Sequence, residues 1–288
     1  MKPFTPSLLP FEGIRWDELV SVLGESNRAL AHYDGVLLGV PNPDVLLSPL
    51  TTQEAVLSSK IEGTQATLGD VLRFEAGDAP DNVERRGDIH EILNYRRALR
   101  TAEKGLEKRP FNLNLIKDLH EILLDSVRGR DKSPGRFRST QNWIGKPGSP
   151  MEEAQFVPPE PMSVPQWMDN WERYYHEDEK DPLVQLALLH AQFEIIHPFN
   201  DGNGRLGRII IPLFLFEKGL LKRPMFYLSA YLDECREEYV EHLRALDSSI
   251  DTWQRWMVFF LRAVVEQAQK NSDKAKKIMG LYERMKER

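Results

Sequence analysis

The sequence predicts an all-α fold. Three observations predict it. Successive segments carry apolar residues at helical spacing, long apolar–polar alternation is absent, and the one β-prone stretch is confined to the region between Gly145 and Pro161. No internal repeat or low-complexity tract appears.

Taken in order, Met1 to Pro10 is proline-spaced and reads as extended. Ile14 to Leu38 has helical apolar spacing, which Pro41-Asn42-Pro43 ends. Thr51 followed by Glu54 reads as a capping-box start, and Gly63 as the C′ stop of a helix running to Glu62. Gly77 to Asn82 reads as a loop. Ile89 to Leu106 and Leu113 to Val127 are again helical in spacing. Between Gly145 and Pro161, glycines and prolines interrupt helix, while Gln155-Phe156-Val157 favours an extended backbone. Pro182 to Ile196 is rich in Leu, Ala, Ile and Val without internal Gly or Pro, which predicts a buried helix, and Ile209 to Phe216 predicts a second. Glu234 to Leu246 reads as amphipathic. Trp253 to Ala268, with Trp253, Trp256, Phe259 and Phe260, reads as a closing core helix before the polar, basic stretch Lys270 to Arg288.

The run His197-Pro198-Phe199-Asn200-Asp201-Gly202-Asn203-Gly204-Arg205-Leu206-Gly207-Arg208 sits between the two buried helices. Its glycines fall where the chain must turn, so backbone N–H groups of the loop and of the next helix's first turn lack carbonyl partners and form an anion site. Arg205 and Arg208, three apart, project from one helix face and can fork onto one polyphosphate. Asp201 supplies a hard oxygen of the kind Mg²⁺ takes when phosphates and water provide its other ligands. His197, at the end of the preceding helix, can take a proton from an incoming hydroxyl near neutral pH. Each element alone has a plainer reading: a solvated Asp-Gly-Asn-Gly turn, surface arginines, a capping histidine. Their joint occurrence in one register favours phosphate chemistry. A zinc pair of His190 and His197 is disfavoured by the single cysteine and the lack of a His-Glu-x-x-His pattern.

The run resembles the signature of Fic (filamentation induced by cAMP) domain proteins, His-x-Phe-x-Asp/Glu-Gly-Asn-Gly-Arg-x-x-Arg, and meets it at every fixed position. The resemblance implies a Fic-type helical bundle with a small β-hairpin flap near the active site, and transfer of AMP from ATP to a protein hydroxyl. Carried over, His197 would be the general base, Asp201 the Mg²⁺ ligand, and Phe199 the anchor of the loop in the core. Gly202, Asn203 and Gly204 would bind the transferred phosphate region, and Arg205 and Arg208 the β- and γ-phosphates. Leu206 and Gly207 would belong to the same nucleotide-binding stretch. The flap would be residues 145–161, with Gln155, Phe156 and Val157 pairing with an extended target segment by strand addition. Tyr239 lies where an aromatic lines the adenine pocket in such proteins, although core packing explains a half-buried tyrosine as well.

Ser58-Ser59-Lys60-Ile61-Glu62-Gly63 resembles the family's inhibitory motif, Ser/Thr-x-x-x-Glu-Gly/Asn, with Ser58 and Glu62 in the matching places. A carboxylate in a helix's last turn is disfavoured by the helix dipole and calls for a cationic partner. The resemblance names Arg208 as that partner and implies that Glu62 blocks productive placement of the γ-phosphate. It also implies an N-terminal helical region over residues 1–110 carrying the inhibitory helix (about 51–63), a Fic core over 111–265 and a C-terminal helix over 266–288. That helix would stop where related chains continue into a further module.

Composition bounds the remainder. With 288 residues, 41% hydrophobic and 28% charged, the chain has the makeup of a soluble globular protein able to bury a full core. No apolar run reaches the length of a membrane span, and the N-terminus lacks a basic region followed by a long apolar stretch. A lone cysteine, Cys235, agrees with a reducing compartment, so a cytoplasmic protein is expected. A net charge of −6 argues against nucleic acid as a partner. The implied partners are ATP and a protein bearing a Ser, Thr or Tyr hydroxyl, the chain itself included, while a homodimer is left open. Removal of AMP by the same site and a non-enzymatic nucleotide-sensing role are the alternatives.

Overall fold

Helix α8, Pro182–Ile196, is the axle of the molecule. It is apolar all round, and every residue from Leu183 to Ile196 is buried except Glu194, as expected for a helix enclosed by others. Asp181 caps its start through Leu183 N at 2.8 Å, with Pro182 in the first turn, where its missing N–H costs no hydrogen bond. Two buried indoles donate to its backbone: Trp171 Nε1 to Leu189 O and Trp256 Nε1 to Ala187 O, both at 2.8 Å.

The computed structural model describes residues 2–125, 130–145 and 150–287. Helix α1, Trp16–Leu38, lies along α12, Ile250–Lys286, and Ser26 Oγ donates across to Leu261 O at 3.1 Å. A short α2, Pro43–Leu46, leads into α3, Ser48–Ile61. Helix α4, Leu68–Glu75, opens on a capping box of Thr67 and Asp70. Helix α5, Val83–Leu106, is capped by Asn82, and α6, Leu113–Leu123, by Asn112. Helix α7, Val164–His176, packs on α8, which turns through a short loop into α9, Asn203–Glu217. Helices α10, Ser229–Glu234, and α11, Arg236–Ala245, complete the set and pack against α12. One hydrophobic core runs from Leu9 to Ala275 through all the main helices. No helix among the described residues is long and apolar enough to cross a membrane.

The all-α expectation holds, and several elements differ in detail. Helix α3 starts at Ser48 and not at a Thr51–Glu54 capping box: Pro49 occupies its first turn, and both expected capping residues face inward. Thr51 Oγ1 meets Tyr227 Oη at 2.8 Å, and Glu54 receives Ser229 Oγ at 2.6 Å and Tyr95 Oη at 3.1 Å. Gly63 does stop the helix, with φ of 102°. The segment Glu234–Leu246 is broken at Cys235 into two helices. Helix α12 runs on through residue 266 for 37 residues, about 55 Å, because Asn271, Ser272 and Ala275 still face the core. Helix α6 ends at Leu123, short of the expected Val127, which itself lies outside the described residues.

The expected flap hairpin reduces, among the described residues, to a single antiparallel bridge. Ile144 N donates to Phe156 O at 2.8 Å, and Gln155 N and Phe156 N donate to Ile144 O at 2.8 and 3.1 Å. Residues 146–149 of the expected flap lie outside the described set. The extended N-terminal segment runs beside this bridge, where Phe4 N donates to Val157 O at 2.9 Å.

Candidate active site

Helix α8 ends because His197 adopts a left-handed conformation, φ 49° and ψ 59°, uncommon for a non-glycine residue. Arg138 holds this turn, its Nε donating to His197 O at 2.9 Å and its second terminal nitrogen to Ile196 O at 3.3 Å and Pro159 O at 2.5 Å. Burial lowers the Arg138 guanidinium to a pKa of about 10, leaving it charged at neutral pH. The ring nitrogen His197 Nδ1 lies 3.3 Å from Glu194 O. A carbonyl only accepts, so Nδ1 carries the proton and Nε2 the lone pair. Burial pushes the imidazole's pKa down to about 4, so the ring is neutral near pH 7.

The loop that follows is clasped from inside. Asn203 Oδ1 receives Phe199 N and its Nδ2 donates to Phe199 O, both at 2.9 Å. The Asn203 side chain therefore shapes the loop, and only its backbone N–H can serve an anion. Phe199 is fully buried and stacks on His120 at 3.8 Å between centroids. His120 Nδ1 accepts from Gly135 N at 2.9 Å, which leaves Nε2 to donate to Asp201 O at 2.9 Å. Gly202, at φ 79°, then starts α9 without a capping side chain, so the first N–H groups of α9 have no partner within the helix.

Glu62 stands over that helix start. Its Oε1 lies 2.6 Å from the terminal nitrogen of Arg208, and a Cβ at Gly204 would collide with the same oxygen, so glycine is what lets the carboxylate approach. Arg208 is buried and further held by Ser58, donating from Nε to Oγ at 2.8 Å and from Nη2 to the carbonyl at 2.9 Å. Burial would raise the Glu62 pKa, but the charge and hydrogen bond of Arg208, joined by Arg205 and His197, together outweigh it and hold the carboxylate below its ordinary value. Arg236 closes the C-terminus of α3 by donating to Ile61 O at 2.8 Å.

These groups line a cleft of about 390 Å³, within the range of small-molecule sites. Glu62, Glu194, His197 and Arg208 are among its polar lining residues, beside Gly204, and Trp143, Ile144, Phe156, Val240 and Leu243 are among its apolar ones. Tyr239 is in the cleft wall but almost wholly buried, its Oη 3.0 Å from His190 Nε2. Arg205 and Asp201 are not among the cleft's lining residues. Arg205, with 5% of its side chain exposed, is engaged by Glu91 at 3.1 Å and Asp201 at 3.5 Å. Of the flap residues, Phe156 lines the cleft, Val157 is buried in the core, and Gln155 bonds to Arg244 on α11. Leu206 packs in the core and Gly207 lies under Glu194. The sequence reading missed His120, Arg138, Glu91 and Glu194, which support the loop from α6, the segment before the flap, α5 and α8. Only Glu194 carried a signal, as the one charge in an otherwise buried apolar run.

Comparison with known proteins agrees with this arrangement. The Fic/DOC family N-terminal model matches residues 20–104 and the Fic/DOC family model residues 110–215. A probable protein adenylyltransferase of Aquifex aeolicus (strain VF5) is 40% identical over 203 residues, covering 66% of this chain and 56% of its own. The protein adenylyltransferase fic-1 of Caenorhabditis briggsae is 26% identical over 172 residues, 55% of this chain and 30% of its own. The matched stretch thus spans about half the length of the bacterial relative and about a third of the nematode one. A crystal structure of a Fic family protein from Desulfovibrio desulfuricans G20 superposes with a TM-score of 0.72 at 21% identity, covering 94% of this chain and 76% of that one, which shows a shared fold. With both family models matched in succession and the signature loop seated between two buried helices, the chain belongs to the Fic/DOC family.

Proposed function

We propose that this chain is a protein adenylyltransferase that transfers AMP from ATP to a Ser, Thr or Tyr hydroxyl of a protein, itself included, and that Glu62 restrains it. The observation that carries the reading is the neutral His197 beside an uncapped helix start whose anion position is held by a carboxylate. Relatives named protein adenylyltransferase support the same chemistry.

In the proposed reaction the target hydroxyl approaches His197, whose Nε2 takes its proton. The oxygen bonds to the α-phosphorus as the bond from that phosphorus to the bridging oxygen breaks, and pyrophosphate leaves. The N–H groups at the start of α9 and the guanidinium of Arg208 stabilise the phosphate charge, as preorganised donors do where charge develops. Arg205 holds the loop through Asp201 and reaches phosphate only by loosening Glu91. The Asp201 carboxylate fits Mg²⁺: its side chain is 46% exposed, and among the described residues Oδ1 alone is engaged, by Gly202 N at 2.6 Å and by Arg205. Mg²⁺ held there would neutralise phosphate charge. Tyr239 and the apolar wall would flank the adenine, and Phe156 with Gln155 would border an incoming target segment, with Val157 supporting them from the core. Residues 1–110 would serve as the regulatory region on the 111–265 core. Intact mass spectrometry after incubation with ATP and Mg²⁺ tests the reading. An added adenylyl group on the chain or on a target supports it, and none under any nucleotide overturns it in favour of a sensing role.

A further inference from the structure

Glu194 is the one charged residue of α8 that the proposed reaction leaves without a task. It stands one helical turn before His197, on the same face, and lines the same cleft. Its Oε1 is buried and has no hydrogen-bond partner, a costly state for a carboxyl oxygen. The carboxyl rests on α9 at Gly207, where a Cβ would collide with Oε1, so this glycine makes room for it as Gly204 does for Glu62.

Several of the polar groups around it are already committed. Glu62 is held by Arg208, Tyr239 Oη by His190, and Arg236 by Ile61 O. Glu194 therefore holds an unsatisfied acceptor in the lining that it shares with Arg208 and Tyr239. In a nucleotide lying with its phosphates at the start of α9 and Arg208 and its base beside Tyr239, the group nearest Glu194, which neighbours both residues, is the sugar.

We propose that Glu194 is a specificity-determining residue that accepts hydrogen bonds from the ribose hydroxyls, so that the site selects ribonucleotides over deoxyribonucleotides. The assignment rests on the nucleotide reading above. It explains why a second carboxyl is kept near Glu62, a like charge, in the lining of one cleft. Burial pushes this carboxyl up to about 7, with Arg208 opposing and Glu62 reinforcing the rise, and two hydroxyl donors would stabilise its charged form.

Calorimetric titration of the full chain and of its Glu62→Gly form with ATP, 2′-deoxy-ATP and 3′-deoxy-ATP tests it. ATP should bind roughly ten- to a hundredfold more tightly than at least one deoxy analogue. Glu194→Ala should bring the three ligands within about twofold of one another by weakening ATP alone. Glu194→Gln keeps the shape and one acceptor and should retain part of the preference, so the test survives if the alanine variant folds poorly. Gly207→Ala, which displaces the carboxyl without removing it, should move the preference the same way. Equal binding of all three by the parent, or an unchanged preference in folded Glu194→Ala or Glu194→Gln, overturns the assignment. If neither parent form binds ATP at all, the nucleotide reading falls and the assignment with it.

Discussion

Arg138 Nε donates to the carbonyl oxygen of His197 at 2.9 Å, and through the same buried guanidinium the end of α8 is joined to Pro159 at the base of the flap. No ion pair of Arg138 occurs among the described residues. Its charge is spent on carbonyls, the groups a helix C-terminus leaves open.

Arg138→Lys should therefore damage the site out of proportion to its conservatism, because a point ammonium cannot reach three carbonyls in a fixed fork. Unfolding free energy should fall by about 1–3 kcal/mol, and transfer should fall further than ATP affinity. Urea denaturation and calorimetry on one preparation would show it; equal losses in transfer and binding would argue for general disruption of the cleft.

A second prediction concerns acid. Burial lowers the pKa of His190 to about 3 and that of His120 to about 4, with no stronger opposing charge. The unfolded chain binds their protons from about 6.5 downward and the folded chain does not. Stability should hold above about pH 7 and fall as pH drops toward 4, by about 2 kcal/mol per buried imidazole between pH 7 and pH 5. His120→Asn should flatten that slope, as measured by urea midpoints at the two pH values. The Glu194 carboxyl, raised to about 7, offsets part of the absolute slope, so the comparison decides: equal slopes in wild type and folded His120→Asn would refute the buried neutral state of His120.

Third, Arg205→Ala should weaken ATP binding in the presence of Mg²⁺ by roughly 1.5–3 kcal/mol through loss of a charge-assisted contact and of the brace on Asp201. Asn200→Ala, at the signature's unspecified position, should change it far less. Similar losses at both positions would point to collapse of the loop and not to a phosphate role for Arg205.

How much of this was legible in sequence follows from the range of the forces involved. Helix α8 was read end to end because its composition alone dictates burial, and the signature loop was read because its glycines, histidine and arginines are close in sequence. Thr51 and Glu54 were misread as a cap because their true partners, Tyr227 and Ser229, lie more than 170 residues away. Helices α4 and α7 went unread. The Thr67–Asp70 capping box and the Trp171–Tyr175 face were visible as local chemistry, but short helices take their stability from packing. Arg138 and His120 gave no local sign, since each acts only on the loop that folding brings to it.

The central claim is that Glu62 restrains the site by occupying the anion position over Gly204 and holding Arg208. Label incorporation from ATP, measured for wild type, Glu62→Gly and Glu62→Gly with Arg208→Ala at equal, confirmed folding, tests it most directly. Removing the carboxylate frees a charge-assisted contact worth about 1.5–3 kcal/mol, so incorporation should rise roughly ten- to a hundredfold in Glu62→Gly. The double variant should lose that gain, because both changes act through one guanidinium. Unchanged or lower incorporation in Glu62→Gly would contradict the account and favour a role for Glu62 in removing AMP.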